Sequence, residues 1–218
     1  KEDRDRYQYD TFLNAKWGSD PEKVFSDLGL TKKQIARQNE DQNAKSGYPK
    51  GTFSYKITKK SSLYGVPVSA ELLFADNLYG LPQHIGLYAV KVIFLEDFPE
   101  TFSANSEQRE PKDYKLDGEK AIEEINKRSL YNTVESSAQE GDWSVHRWES
   151  KTTPMNVSSP KQGALCKAIE SISATFSVDT EKLKEASLSS MQLYYNNSEH
   201  YSYMIYNGFN AALLRNME

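Results

Sequence analysis

A single cysteine, Cys166, stands in a chain of 218 residues. One thiol excludes an internal disulfide and any zinc site built from several thiolates. Beside the periodic apolar residues around Leu165 it reads as a small buried thiol, not a nucleophile. Histidine is nearly as scarce. His84, His146 and His200 lie far apart, without the His-x-x-x-His or His-Glu-x-x-His spacing that sets two imidazoles on one helical face. No metal site and no cofactor are expected. The chain has no run of about 18 apolar residues, so no segment matches a membrane-spanning helix. Gly-x-Ser-x-Gly, Gly-x-Gly-x-x-Gly and Gly-x-x-x-x-Gly-Lys-Ser/Thr are all missing, which removes sequence support for an elbow-type hydrolase or a phosphate-cradling nucleotide binder. Positive charge is not in excess either. Lys and Arg number 27 against 31 Asp and Glu, for a net charge of −4. The basic residues are scattered, so no stripe is available to neutralise phosphates, and nucleic acid is a poor partner.

Aromatic residues are abundant. Fourteen Tyr, nine Phe and three Trp supply enough large side chains for a buried core. Tyr buries its ring while keeping a wettable hydroxyl, which suits half-buried strands and binding faces. The opening run Lys1 to Asp10 is charged and begins without Met. It reads as the start of a processed chain, the simplest missing piece being an export signal.

Along the chain, Ser19-Asp20-Pro21-Glu22 predicts a helix start with Ser19 as cap and Glu22 as its capping-box partner. Val24, Phe25 and Leu28 form its apolar face, and Gly29 is the natural stop. Thr31 to Asn43 is polar and fits either a solvated helix capped by Thr31 or a loop. Three β segments follow. Phe53, Tyr55 and Ile57 share one face of the first, and Val66, Val68, Ala70, Leu72 and Phe74 one face of the second. The third, Leu87 to Leu95, is apolar on both sides except at Lys91, as expected of a central strand. Residues 96–115 read as a linker or mobile loop. A second helix is predicted from Asp117 or Gly118. Trp143, Val145 and Arg147 then alternate with Ser144, His146 and Trp148 in a strand. Residues 151–163 read as a loop, 164–176 are ambiguous, and 179–186 fit a short helix. Leu188 to Tyr195 and Tyr201 to Leu214 predict a closing hairpin around Asn196 to Glu199, with Asn207-Gly208 a break or second turn. The expected fold is α+β: antiparallel meander sheets with helices packed on one face. It divides into helix-plus-sheet halves at 10–98 and 112–218, as two domains or packed as one.

The segment Lys16-Trp17-Gly18-Ser19-Asp20-Pro21-Glu22-Lys23-Val24, closing with Leu28-Gly29, resembles the "W-G-x-S-x-E-x-V…L-G" helix start of small exported bacterial proteins, many of them lipoproteins, with BamE-like or β-lactamase-inhibitor-protein-like folds. That resemblance implies helices on an antiparallel sheet, sometimes in tandem, and a mostly non-catalytic binding role. It implies an extracytoplasmic place, secreted or held by a lipid anchor ahead of residue 1. It carries over no functional residue.

The functional colour lies in the aromatics. Trp143, Trp148, Tyr194, Tyr195, Tyr201 and Tyr203 are the candidate binding residues, able to stack on sugars or to anchor a partner protein. Alternate members are expected to fill the core instead. No catalytic residue is assigned, and the chain reads as a non-enzymatic binding or interaction module for a protein or glycan. The rivals are a hydrolase whose polar groups converge only in three dimensions, marked by a deep pocket, and a structural envelope component, marked by a large apolar patch.

Overall fold

Strand alternation in this chain resolves into one large antiparallel sheet. A computed structural model describes residues 11–63, 66–78, 83–95, 136–149, 167, 189–196 and 201–217. The elements are β1 (Thr11–Phe12), β2 (Ala15–Lys16), α1 (Pro21–Asp27), β3 (Ile35–Arg37), α2 (Glu40–Lys45), β4 (Thr52–Leu63) and β5 (Val66–Ala75). They continue with β6 (Gly86–Phe94), β7 (Ser136–Glu140), β8 (Trp143–Glu149), β9 (Ser190–Asn196), β10 (Tyr201–Asn207) and α3 (Phe209–Arg215). Eight strands form one sheet in the order β3-β4-β5-β6-β10-β9-β8-β7, and β1-β2 is a separate small hairpin. Every pairing is antiparallel. The fold is therefore α+β. Two four-stranded meanders, β3–β6 and β7–β10, join through the β6–β10 ladder.

Cross-strand partners share a face, so the registers assign every side chain. Tyr55, Leu72, Val90 and Tyr206 line up across four strands, as do Ala70, Val92, Met204 and Leu193. Trp148 and Met191 extend this core face. Leu72, Val90, Trp148, Leu193 and Met204 are all fully buried there. Phe25 of α1 packs edge-on against Tyr55 and Phe74, with ring centroids 5.0 and 6.3 Å apart. The opposite face carries Lys91, Ile93, Tyr203, Ile205, Tyr194, Gln192, Trp143 and Val145, each half-buried. We call this the tyrosine face. At the β4 end, Asn43 of α2 accepts a hydrogen bond from Ser54 Oγ at 2.5 Å, and the Tyr48 hydroxyl donates to Glu71.

Several local expectations need correction. Asp20, not Ser19, stands at the N-cap of α1, and no side chain caps the helix. Asp20 turns instead to His84 at 2.7 Å, and Ser19 Oγ accepts from Arg215 at 2.6 Å. Thr31 caps only a short 3-10 turn, after which the polar stretch splits into β3 and α2. The closing strand stops at the Asn207-Gly208 break, and Phe209–Arg215 beyond it is helical, not a continued strand. The linker, the helix predicted from Asp117, the loop 151–163 and the stretches 164–176 and 179–186 lie outside the described residues, apart from Lys167.

The Trp-Gly pair of the first helix start is a structural clasp. Gly18 N–H donates to Leu87 O at 2.8 Å, and Leu87 N–H donates to Ser19 O at 2.9 Å. Asn216 Nδ2 bridges Gly18 O and Ile85 O at 3.0 and 3.1 Å. Gly86 has φ +70°, and a Cβ there would fall 2.3 Å from Gly18 O. Gly29 also has positive φ, +64°, but faces open space. Gly86→Ala is therefore expected to cost about 3 kcal/mol or more, from strain plus overlap. Gly29→Ala is expected to cost about 1 kcal/mol, from strain alone. Urea unfolding of the two variants checks the difference. Equal losses would mean that the close approach of the two backbones is not what holds this corner.

Candidate functional site

The period of two on β8, β9 and β10 sorts the six candidate aromatics. Trp143, Tyr194, Tyr201 and Tyr203 have the parity of the tyrosine face, and Trp148 and Tyr195 the parity of the core face. Trp148 is 0% exposed and Tyr195 4%. Both are core side chains and are not available to a ligand. The other four converge. Tyr194 and Tyr203, direct cross-strand partners, stack with centroids 4.7 Å apart and planes 11° apart. Trp143 meets Tyr203 edge-on at 5.5 Å and Tyr201 at 6.2 Å. Tyr201 and Tyr203 are 5.9 Å apart.

A fifth member was not marked as a site residue by sequence reasoning. Lys91 projects from β6 onto the same face, with its ammonium 4.6 Å from the Tyr203 ring centroid. Its signal in the sequence is a lone charge inside the apolar run LYAVKVIFL. β9 and β6 flank β10 on opposite sides. Tyr194 therefore covers one face of the Tyr203 ring and Lys91 the other. Aromatic pairs of this geometry contribute about 0.5–1.5 kcal/mol each beyond area burial, and a cation over a ring adds about 0.5–2.

The phenols are held in their neutral, donating form. Burial is the main cause for all three, because a phenolate is poorly solvated in a half-buried site. The Tyr203 hydroxyl is pushed up to about 12, with Tyr194 and Tyr201 as lesser contributors. Tyr194 is raised by burial and then by Glu140, against an opposing pull from Arg147, and Tyr201 by burial and then by Glu71. Tyr194 donates to Gln192 Oε1 at 3.1 Å. Among the described residues, the Tyr201 and Tyr203 hydroxyls make no hydrogen bond.

The histidines do not gather. His84 lies between Asp20 and Asp76 at the start of α1, on an exposed corner. His146 sits on the core face beside Trp148, and burial lowers its basicity. His200 and Cys166 lie outside the described residues. Among the described residues, no group of three or more His, Cys, Asp or Glu is placed to hold a metal, and no helix is long and apolar enough to cross a membrane. No family model, curated protein or solved structure matches this chain.

Tyr203 ionisation links to stability. The unfolded chain loses this proton near pH 10, whereas the folded protein keeps it to about 12. The unfolded state then binds fewer protons, so stability is complete below about pH 10 and falls as pH rises through that window. Tyr203→Phe is expected to make the fall in the urea midpoint shallower between about pH 10 and 12. An unchanged slope would show that Tyr203 titrates like an exposed tyrosine.

Proposed function

We propose that this chain is a non-catalytic binding module that engages a protein or glycan through the tyrosine face of its sheet. The observation that carries the reading is the convergence of Trp143, Tyr194, Tyr201 and Tyr203 on one half-buried face, opposite a core face on which Trp148 and Tyr195 are buried. Trp and Tyr combine large contact area with few rotatable bonds and polar tips. They lose little entropy when a partner docks, and they dominate binding energy at interfaces. The strands below set their spacing, so the face is organised before a ligand arrives.

The resemblance of the Trp17-Gly18 helix start to exported bacterial proteins of BamE-like or β-lactamase-inhibitor-protein-like fold supports the same reading. An extracytoplasmic place, secreted or lipid-anchored, belongs to the proposal on the strength of that resemblance. Fractionation of cells making the full-length gene product tests it, and recovery in the cytosol overturns it.

Binding itself is tested by screening the protein against a glycan array and a displayed random-peptide library. Binders recovered from either are expected to lose at least about tenfold in affinity for the Trp143→Ala/Tyr201→Ala variant, the usual consequence of removing interface anchors. Thermal unfolding of the variant confirms that the sheet survives. Binders indifferent to the two substitutions would place the ligand surface elsewhere.

A further inference from the structure

We propose that the tyrosine face recognises an acidic side chain of a protein partner, with the Lys91 ammonium as counter-charge and the Tyr201 and Tyr203 hydroxyls as neutral donors on the same face. The inference rests on the tyrosine face being the binding surface, and it names what that surface binds.

Lys91 is the starting point. Its direct cross-strand neighbour is Glu71, the obvious ion-pair partner. Glu71 is only 8% exposed, and its carboxylate accepts a hydrogen bond from Tyr48. Among the described residues no ion pair joins the two. The Lys91 side chain turns the other way and rests its ammonium on the Tyr203 ring. A ring quadrupole replaces only part of the hydration that a half-buried ammonium gives up. The site is thus a cation at mid-sheet with no carboxylate at ion-pair distance among the described residues, on the same face as the phenols of Tyr201 and Tyr203. An incoming carboxylate would convert an underpaired charge into a charge-assisted hydrogen bond.

The chemistry selects among ligands. One ammonium with neutral donors matches a single negative charge, whereas a phosphate group calls for several cations or a guanidinium fork. Tyr203 has both ring faces covered, by Tyr194 and by Lys91, so the ring nearest the cation offers no open platform on which a sugar could stack. Apolar Ile93, Ile205 and Val145 lie between the polar tips on the same face. Tyrosine edges around an apolar floor are the make-up of a protein interface core, with the carboxylate as the buried charge that sets register.

The test uses peptides selected from a random library on the intact protein and measured by calorimetry. Selected peptides are expected to carry Asp or Glu. Replacing that residue by Asn or Gln should weaken binding at least about tenfold on the wild-type protein. Against Lys91→Met, which keeps the aliphatic stem, the parent peptide should weaken similarly, and the Gln or Asn peptide should lose less than about threefold more, as coupled partners do. Thermal unfolding confirms that the variant is folded. Peptides that need Trp143 and Tyr201 but ignore the Glu-to-Gln change would overturn the carboxylate assignment while leaving the binding face intact. Peptides indifferent to all these substitutions would overturn both. No peptide selected, or tighter Lys91-dependent binding of carboxylate-bearing oligosaccharides, would overturn the protein partner.

Discussion

The β6–β10 ladder joins strands distant in sequence, and both faces of the sheet depend on its register. Tyr203 stands opposite Ile93, Met204 opposite Val92, Ile205 opposite Lys91 and Tyr206 opposite Val90. Met204 is fully buried and Val92 nearly so. Side chains alternate along a strand, so a slip of one residue would carry Met204 and Tyr206 to the tyrosine face and push Tyr203 and Ile205 into the core. Burying the Tyr203 phenol with no partner would cost a few kcal/mol, and exposing Met204 would forfeit about 2 more. The same alignment that closes the core therefore sets Lys91 against Tyr203. Core and candidate site are two sides of one register.

That ladder is held at one end by both ends of the described chain. Gly208 follows β10 directly, and its N–H donates to Tyr88 O at 2.8 Å. A Cβ on Gly208 would fall 1.9 Å from the Trp17 ring, so the indole lies flush against the backbone as it leaves the sheet. Arg215 reaches Trp17 O at 3.3 Å and Ser19 Oγ, and Asn216 reaches Gly18 O. Trp17 is 1% exposed. The Trp-Gly pair therefore serves as a bolt: the indole fills the gap under Gly208, and the glycine lets its backbone pair with β6. Its sequence resemblance to a helix start and its role in the fold are consistent, since α1 begins immediately after the bolt.

Legibility in the sequence follows the range of the interaction responsible. Phe53, Tyr55 and Ile57 announce one face of β4, and the alternation of Trp143 with Trp148 announces β8, because strand periodicity is local. The edge strands β3 and β7 are short, and Ser136–Glu140 has only one apolar residue among five, so pattern had nothing to act on. Ser19 carries good capping chemistry, yet Arg215 claims its hydroxyl, a tertiary contact that no local rule sees. Phe209–Arg215 joins a Tyr-rich strand with a single glycine between them, and periodicity misses so brief a change of state. The candidate site was half legible. Residue type marked six aromatics, but only the non-local ladders show which of them meet.

Trp143 and Trp148 make the point physically. They share a strand and a residue type, and the odd spacing between them sends one to each face. Trp148 is sealed beside Met191, whereas Trp143 sits half-buried against two tyrosines. The choice of tyrosine over phenylalanine on that face follows the same logic. Phenylalanine would pack as well but present only apolar edges, an aggregation hazard on a broad sheet. A phenol adds a donor at each tip, protonated at physiological pH as any tyrosine is, and burial extends that range upward. Lys91 completes the argument. Val or Ile would extend the apolar run on a central strand and stabilise the sheet more. A half-buried lysine there costs desolvation that the Tyr203 ring offsets only in part. This local conflict lies at the edge of the tyrosine cluster, over the face of Tyr203 that Tyr194 leaves uncovered.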